Sequence, residues 1–178
     1  MTESKIQREL AAEARAKAGL PVLRCPECGE LAAHWVPVGF EEPGHFTCAP
    51  RRWSFELAFE RAPKGLSAND RAHWTVKARS TTMVRTLVAS QVRGAGVPSV
   101  DRCRVDVEWV VTTTHRRDED NLAPFLKAIY DGIGADKGIS AHIVDDDDPA
   151  HMEKRGATIR YEKGGTARFI VTITEVTP

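Results

Sequence analysis

The chain has 178 residues, enough for one full domain and a small appendage. Its 42% apolar content is that of an ordinary soluble globular protein, and its net charge of zero says nothing about partners. No apolar run approaches the roughly 18 residues of a membrane span, and the opening MTESKIQREL is too charged for a signal peptide, so a cytoplasmic location is expected.

The distribution of charge says more than the total. Between Arg61 and Arg93, seven Lys and Arg residues stand against one acid, Asp70, while Asp145–Asp148 is an unbroken block of acids. A neutral chain built this way can hold a polyanion on one surface and a cation at another point. Two solvated faces that balance each other are the plain alternative.

In chain order, residues 1–21 form a linker with a short exposed helix, Thr2–Gly19, rich in Ala, Glu, Arg and Lys and ended by Gly19 and Pro21. Residues 22–50 hold three of the four cysteines, two histidines and many Gly and Pro. Cys25–Pro26–Glu27–Cys28 is a CxxC knuckle, and His45–Phe46–Thr47–Cys48 is an HxxC pair. Each pair can grip one face of a tetrahedral ion, so Cys25, Cys28, His45 and Cys48 are expected to hold a structural zinc, with His34 a competing ligand. The segment is too short and polar to build a core unaided. It either contacts nucleic acid or supports the rest of the chain.

Residues 51–178 read as one α+β domain with helices against a small mixed sheet, in the order β-α-β-α-β-β. A strand is predicted at Trp53–Phe59, from alternating Trp53, Phe55, Leu57 and Phe59. A loop follows at Arg61–His73, and a helix at Thr75–Arg93 that ends near Gly94 and Gly96. The second strand is placed at Arg104–Thr114 and the second helix at Leu122–Ile133. Gly134–Asp148 is an irregular connection. A closing hairpin pairs Thr158–Tyr161 with Ala167–Thr174 through Lys163–Gly164–Gly165. Cys103 is expected in the core.

The chemistry concentrates in HRRDEDNLAPFLKAIYDG, His115–Gly132. Acids crowded this closely repel one another and await a cation. If the stretch stays extended, Asp118 and Asp120 point to one side and Glu119 away. Asn121 caps the helix that follows, and Pro124 fits its first turn. Lys127 lies seven residues past Asp120, and Asp131 four past Lys127, so these three share a helical stripe. A return of Asp145–Asp148 to the strand end would complete a hard-cation site. No EF-hand loop, Walker pattern or GxGxxG is present.

The run RRDEDNLAPFLKAIYDG, followed by VDDDDP, resembles the RusA family of Holliday-junction resolvases, many of them encoded by phages and prophages. That family carries an R-x-D-x-D-N motif, a K-x-x-x-D helix and a DD pair. The resemblance covers most of residues 51–178 and includes the loop Ser67–Trp74. It implies a Mg²⁺-dependent (Mn²⁺ possible), structure-selective endodeoxyribonuclease that cuts four-way or other branched DNA as a homodimer in recombination or repair. By the same resemblance Asp118, Asp120, Asp146 and Asp147 are Mg²⁺ ligands, and Asp118, Asp120, Lys127 and Asp147 are the catalytic set. Asn69, Arg71, His73, Lys77, Arg79, Arg116 and Arg117 contact DNA, with Arg85 on the same basic segment and Trp74 either stacking on a base or packing in the core. The zinc-binding extension is absent from the minimal family domain. The alternative is a non-catalytic zinc-ribbon DNA-binding protein whose acids are structural.

Overall fold

The computed structural model describes residues 13–14, 16–18, 34–36, 45–47 and 50–176. The chain divides into two compact units, Met1–Pro50 and Arg51–Pro178. In the first, β1 (His34–Val36) pairs antiparallel with β2 (His45–Thr47), Trp35 opposite Phe46. Residues 13–18 include one helical turn, with the Ala18 N–H donating to the Ala14 carbonyl at 3.1 Å. The remainder of the helix expected at Thr2–Gly19 lies outside the described residues, as do Cys25, Cys28, Cys48 and the side chains of His34 and His45.

In the second unit, alternation of apolar and polar residues builds the strands. β3 (Arg52–Leu57) buries Phe55 and Leu57. β4 (Cys103–Val111) buries Cys103, Val105, Val107 and Trp109 on one face, then Val110 and Val111 in succession. Between them runs helix α1 (Trp74–Gly94), and after β4 come a 3₁₀ turn (Glu119–Leu122) and helix α2 (Ala123–Gly134). β5 (Met152–Tyr161) and β6 (Arg168–Glu175) complete the unit. The result is an α+β arrangement with a four-stranded mixed sheet in the order β3-β6-β4-β5.

The expected closing hairpin does not form. β5 runs parallel to β4, reached through the α2 crossover, and β6 enters antiparallel on the other side of β4. The turn at Lys163–Gly165 therefore reverses the chain around the end of β4, where the Glu162 N–H donates to the Val111 carbonyl at 2.9 Å. Gly164, at φ 76°, supplies the left-handed step of that turn. β4 takes the centre because it is the most apolar strand. The polar residues Glu153–Gly156 suit β5 to an edge, where the register also slips between Val105 and Val107.

Both helices cover one face of the sheet. Val84, Val88 and Val92 of α1 and Phe125, Ile129 and Ile133 of α2 join the inward residues of β3, β4 and β6 in one core. Phe125 meets Phe169 edge-on at 4.8 Å, and Trp109 stacks on Phe169 at 5.4 Å. The opposite face carries ion pairs, among them Arg168–Glu56 and Arg160–Glu108, each at 3.0 Å. Among the described residues no helix is long and apolar enough to cross a membrane.

Candidate functional site

β4 stops at Val111, three residues short of its expected end, and the chain turns. Arg117 organises that turn. Its guanidinium donates to the carbonyls of Thr113 and His115 at 2.7 and 2.9 Å and lies over the Trp109 ring at 5.3 Å. This arginine therefore holds the fold, and it also lines the cleft described below.

Asp118 follows in an extended conformation, but Glu119–Leu122 is a 3₁₀ turn. The premise that Asp118 and Asp120 alternate along one strand is thus corrected. Asp118 caps the turn instead, its Oδ1 accepting from the Asp120 N–H at 3.2 Å. The capping role expected of Asn121 falls to Asp118, and α2 opens without a side-chain cap, with Pro124 in its first turn. Asn121 does something else. Its Oδ1 accepts from Asn69 Nδ2 at 2.8 Å, and its carbonyl accepts from the Ala68 N–H at 2.9 Å. The loop before α1 is thereby fastened to the acidic turn. Gly65 (φ 87°) and Asp70 brace this loop, the Asp70 carboxylate accepting from the Gly65 N–H at 2.6 Å.

The two loops enclose a cleft of about 1200 Å³. Asp118, Glu119 and Asp120 line it on one side, with Arg61, Lys64 and Arg116 also in its wall. Glu119, expected to point away, is part of the lining. Arg61, Lys64, Arg116 and the three acids are all exposed, and none forms an ion pair among the described residues. Cations and carboxylates thus share one cleft without neutralising each other. Sequence reading missed Arg61 and Lys64 individually. The basic excess of residues 61–93 was the signal, but their placement depends on the Asn69–Asn121 contact, which joins positions 52 residues apart.

No known protein family matches the chain, and no curated protein matches it.

The other expected site residues are not among those lining the cleft. Lys127 is on the side of α2 that shares a shallow pocket with Tyr130, Lys154 and Arg155. Its ammonium donates to Asp131 Oδ1 at 3.0 Å; that hydrogen bond, above all, raises its pKa above the ordinary lysine value. Asp147 is close enough for its charge to act on Lys127. Burial pushes the Asp147 carboxyl up, yet the Lys154 hydrogen bond at 2.7 Å and the charges of Lys154 and Lys127 outweigh it and hold the carboxyl below its ordinary value. Asp146 accepts from the Asp147 N–H at 2.7 Å. Asp148 closes a turn, accepting from the Ala150 and His151 N–H groups at 2.9 and 3.0 Å.

Among the described residues no three His, Cys, Asp or Glu side chains gather closely enough to hold a metal ion. The set Asp118, Asp120, Asp146 and Asp147 is therefore not assembled, and Lys154 occupies Asp147. Mg²⁺ commonly takes one or two carboxylates, several waters and substrate phosphates. Asp118 and Asp120 alone fit that donor set.

Of the expected DNA contacts, Arg71, His73, Lys77, Arg79 and Arg116 are exposed. Asn69 is used on Asn121, and His73 caps α1 through Nδ1, which lies 3.4 Å from the Thr75 N–H that it accepts. Arg85 is turned to the protein itself. It donates to the Ile139 and Lys137 carbonyls at 2.8 and 2.7 Å and sits 3.7 Å from Asp131. Trp74 is 72% exposed, which removes the core-packing reading, and Cys103 is buried as expected, its thiol pushed up to about 11 by burial.

Proposed function

We propose that residues 51–178 form a RusA-like, Mg²⁺-dependent endodeoxyribonuclease selective for branched DNA. The observation that supports this reading is the cleft in which Asp118 and Asp120 stand unpaired beside Arg61, Lys64 and Arg116. A groove with free cations attracts a phosphate backbone, since such contacts supply affinity without sequence choice. A carboxylate pair in the same groove would be repelled by that backbone, so its presence there calls for a cation between them. Asp118 and Asp120 would hold Mg²⁺, or Mn²⁺ in its place, which when bound supplies a Lewis acid at phosphate oxygen and an activated water. Arg61, Lys64 and Arg116 would orient the strand by its phosphates. Lys127, charged at neutral pH, would meet phosphate beyond the cleft. Two such chains would act as a symmetric pair on a two-fold junction. Zinc held by Cys25, Cys28, His45 and Cys48 belongs to the same proposal as a structural element of the first unit.

The test is cleavage of a synthetic four-way junction against linear duplex of matched sequence, in Mg²⁺ and in EDTA. We expect paired nicks on the junction only, and a loss of about a hundredfold or more in Asp118→Asn and Asp120→Asn, with junction binding retained. Undiminished cleavage by Asp120→Asn would refute the site. The Asp147–Lys154 ion pair favours a second reading, a DNA-binding protein without catalysis. Tight junction binding with no cleavage in Mg²⁺ or Mn²⁺ would select it.

A further inference from the structure

Trp74 opens α1 and is 72% exposed, the most exposed of the large apolar side chains among the described residues. It stands fourteen and eighteen residues before Val88 and Val92, close to whole numbers of turns at about 3.6 residues each, so it lies on the buried stripe of the helix. The stripe packs against the core at Val84, Val88 and Val92 and then runs out past it. An indole is thus carried on the core-facing side of a helix with no core beneath it.

The neighbourhood says what suits it. The first turn of α1 touches the loop that lines the cleft: a Cβ placed on Gly65 would lie 3.1 Å from Lys77 Cα, and the adjoining Lys64 is in the cleft wall. Lys77 follows Trp74 by three residues on the same side of α1, and Arg71 shortly precedes the helix; both are exposed and without an ion pair among the described residues, and the Trp74 ring lies 5.7 Å from that of His73. An exposed aromatic ring with free cations close to it along the chain matches a ligand that is both polyanionic and aromatic. Paired bases in a duplex hide their faces; unpaired bases present them.

We infer that Trp74 is a stacking platform for an unpaired nucleobase, with Arg71 and Lys77 holding the flanking phosphates. This rests on the reading of the cleft as a DNA site and extends it: the second unit recognises a strand that has left the duplex, not only the duplex backbone. Base stacking on an aromatic side chain tolerates any sequence.

The experiment is equilibrium binding by the full chain, without added Mg²⁺ or Mn²⁺, of a splayed-arm DNA and of a blunt duplex of equal length, by fluorescence anisotropy. Trp74→Ala is expected to weaken splayed-arm binding by about tenfold and to leave duplex binding and its salt dependence unchanged. Trp74→Phe should keep most of the affinity, and 2-aminopurine in the splayed arm should be quenched by the wild type and not by Trp74→Ala. Equal weakening on both DNAs, or none on either, overturns the inference. So does absence of DNA binding by the wild type, or a changed sedimentation coefficient in Trp74→Ala with DNA affinity intact, which would make Trp74 a protein contact. Because cleavage is not read, a chain that binds but never cuts leaves the two proposals separable.

Discussion

Asp131 is 9% exposed and faces two cations of unequal kind. Lys127 keeps 73% of its side chain in water, while the Arg85 side chain is 18% exposed and already held by two carbonyls. A water-screened i,i+4 pair adds little, whereas a buried charge stripped of its partner is costly. Lys127→Ala should therefore change unfolding free energy by no more than about 0.5 kcal/mol, and Asp131→Ala should lower it by about 2 kcal/mol. Urea unfolding of both variants checks this; equal losses would show that Lys127 is held more tightly than its exposure implies. The spacing Lys127–Asp131 was legible in the sequence because helical geometry is local. The buried side of Asp131 was not, because Arg85 arrives from another helix. The same division runs through the acidic turn. Its residue types announce a cation, but its placement beside the loop before α1 rests on Asn69 reaching Asn121, a contact that no local pattern encodes.

At the level of elements, both helices and three strands of the second unit were legible to within a few residues, since each carries its own apolar period; β5 was expected only at Thr158–Tyr161 but begins at Met152, because the polar run Glu153–Gly156 breaks its alternation. Their pairing was not. Two polar-tipped strands joined through Lys163–Gly164–Gly165 have the pattern of a hairpin, and only the competition for the apolar β4 separates them. The irregular connection after α2 shows how such a segment is held without regular structure. Arg85 binds the Lys137 and Ile139 carbonyls, Arg93 binds the Ser140 carbonyl at 2.7 Å, and the chain then returns with Ala141 N–H on the Gly132 carbonyl at 2.9 Å. Arg85→Ala should loosen this strap. We expect faster amide exchange at Ala141 and Ile143 and no change in the β4–β6 ladder. Arg85→Lys should not restore protection, because one ammonium cannot reproduce the guanidinium fork.

For the molecule as a whole, the two units raise separate questions. The cysteine spacing of the first predicts a single bound zinc per chain. Native mass spectrometry of the full chain should show that mass added, and Cys25→Ser or Cys48→Ser should lose it while Cys103→Ser keeps it. A wild-type chain that remains metal-free after zinc reconstitution would remove the ion from the account. In the second unit β6 lies between β3 and β4, though it is the last of the four strands in sequence, and Arg51 at the foot of β3 bonds Glu175 across 124 residues. During synthesis, β3 therefore emerges from the ribosome long before the strand that must separate it from β4. The sheet cannot close until β6 has emerged as well. The cleft loops, both borne on that sheet, gain their fixed spacing only then, so the cleft is among the last parts of the unit to take its shape.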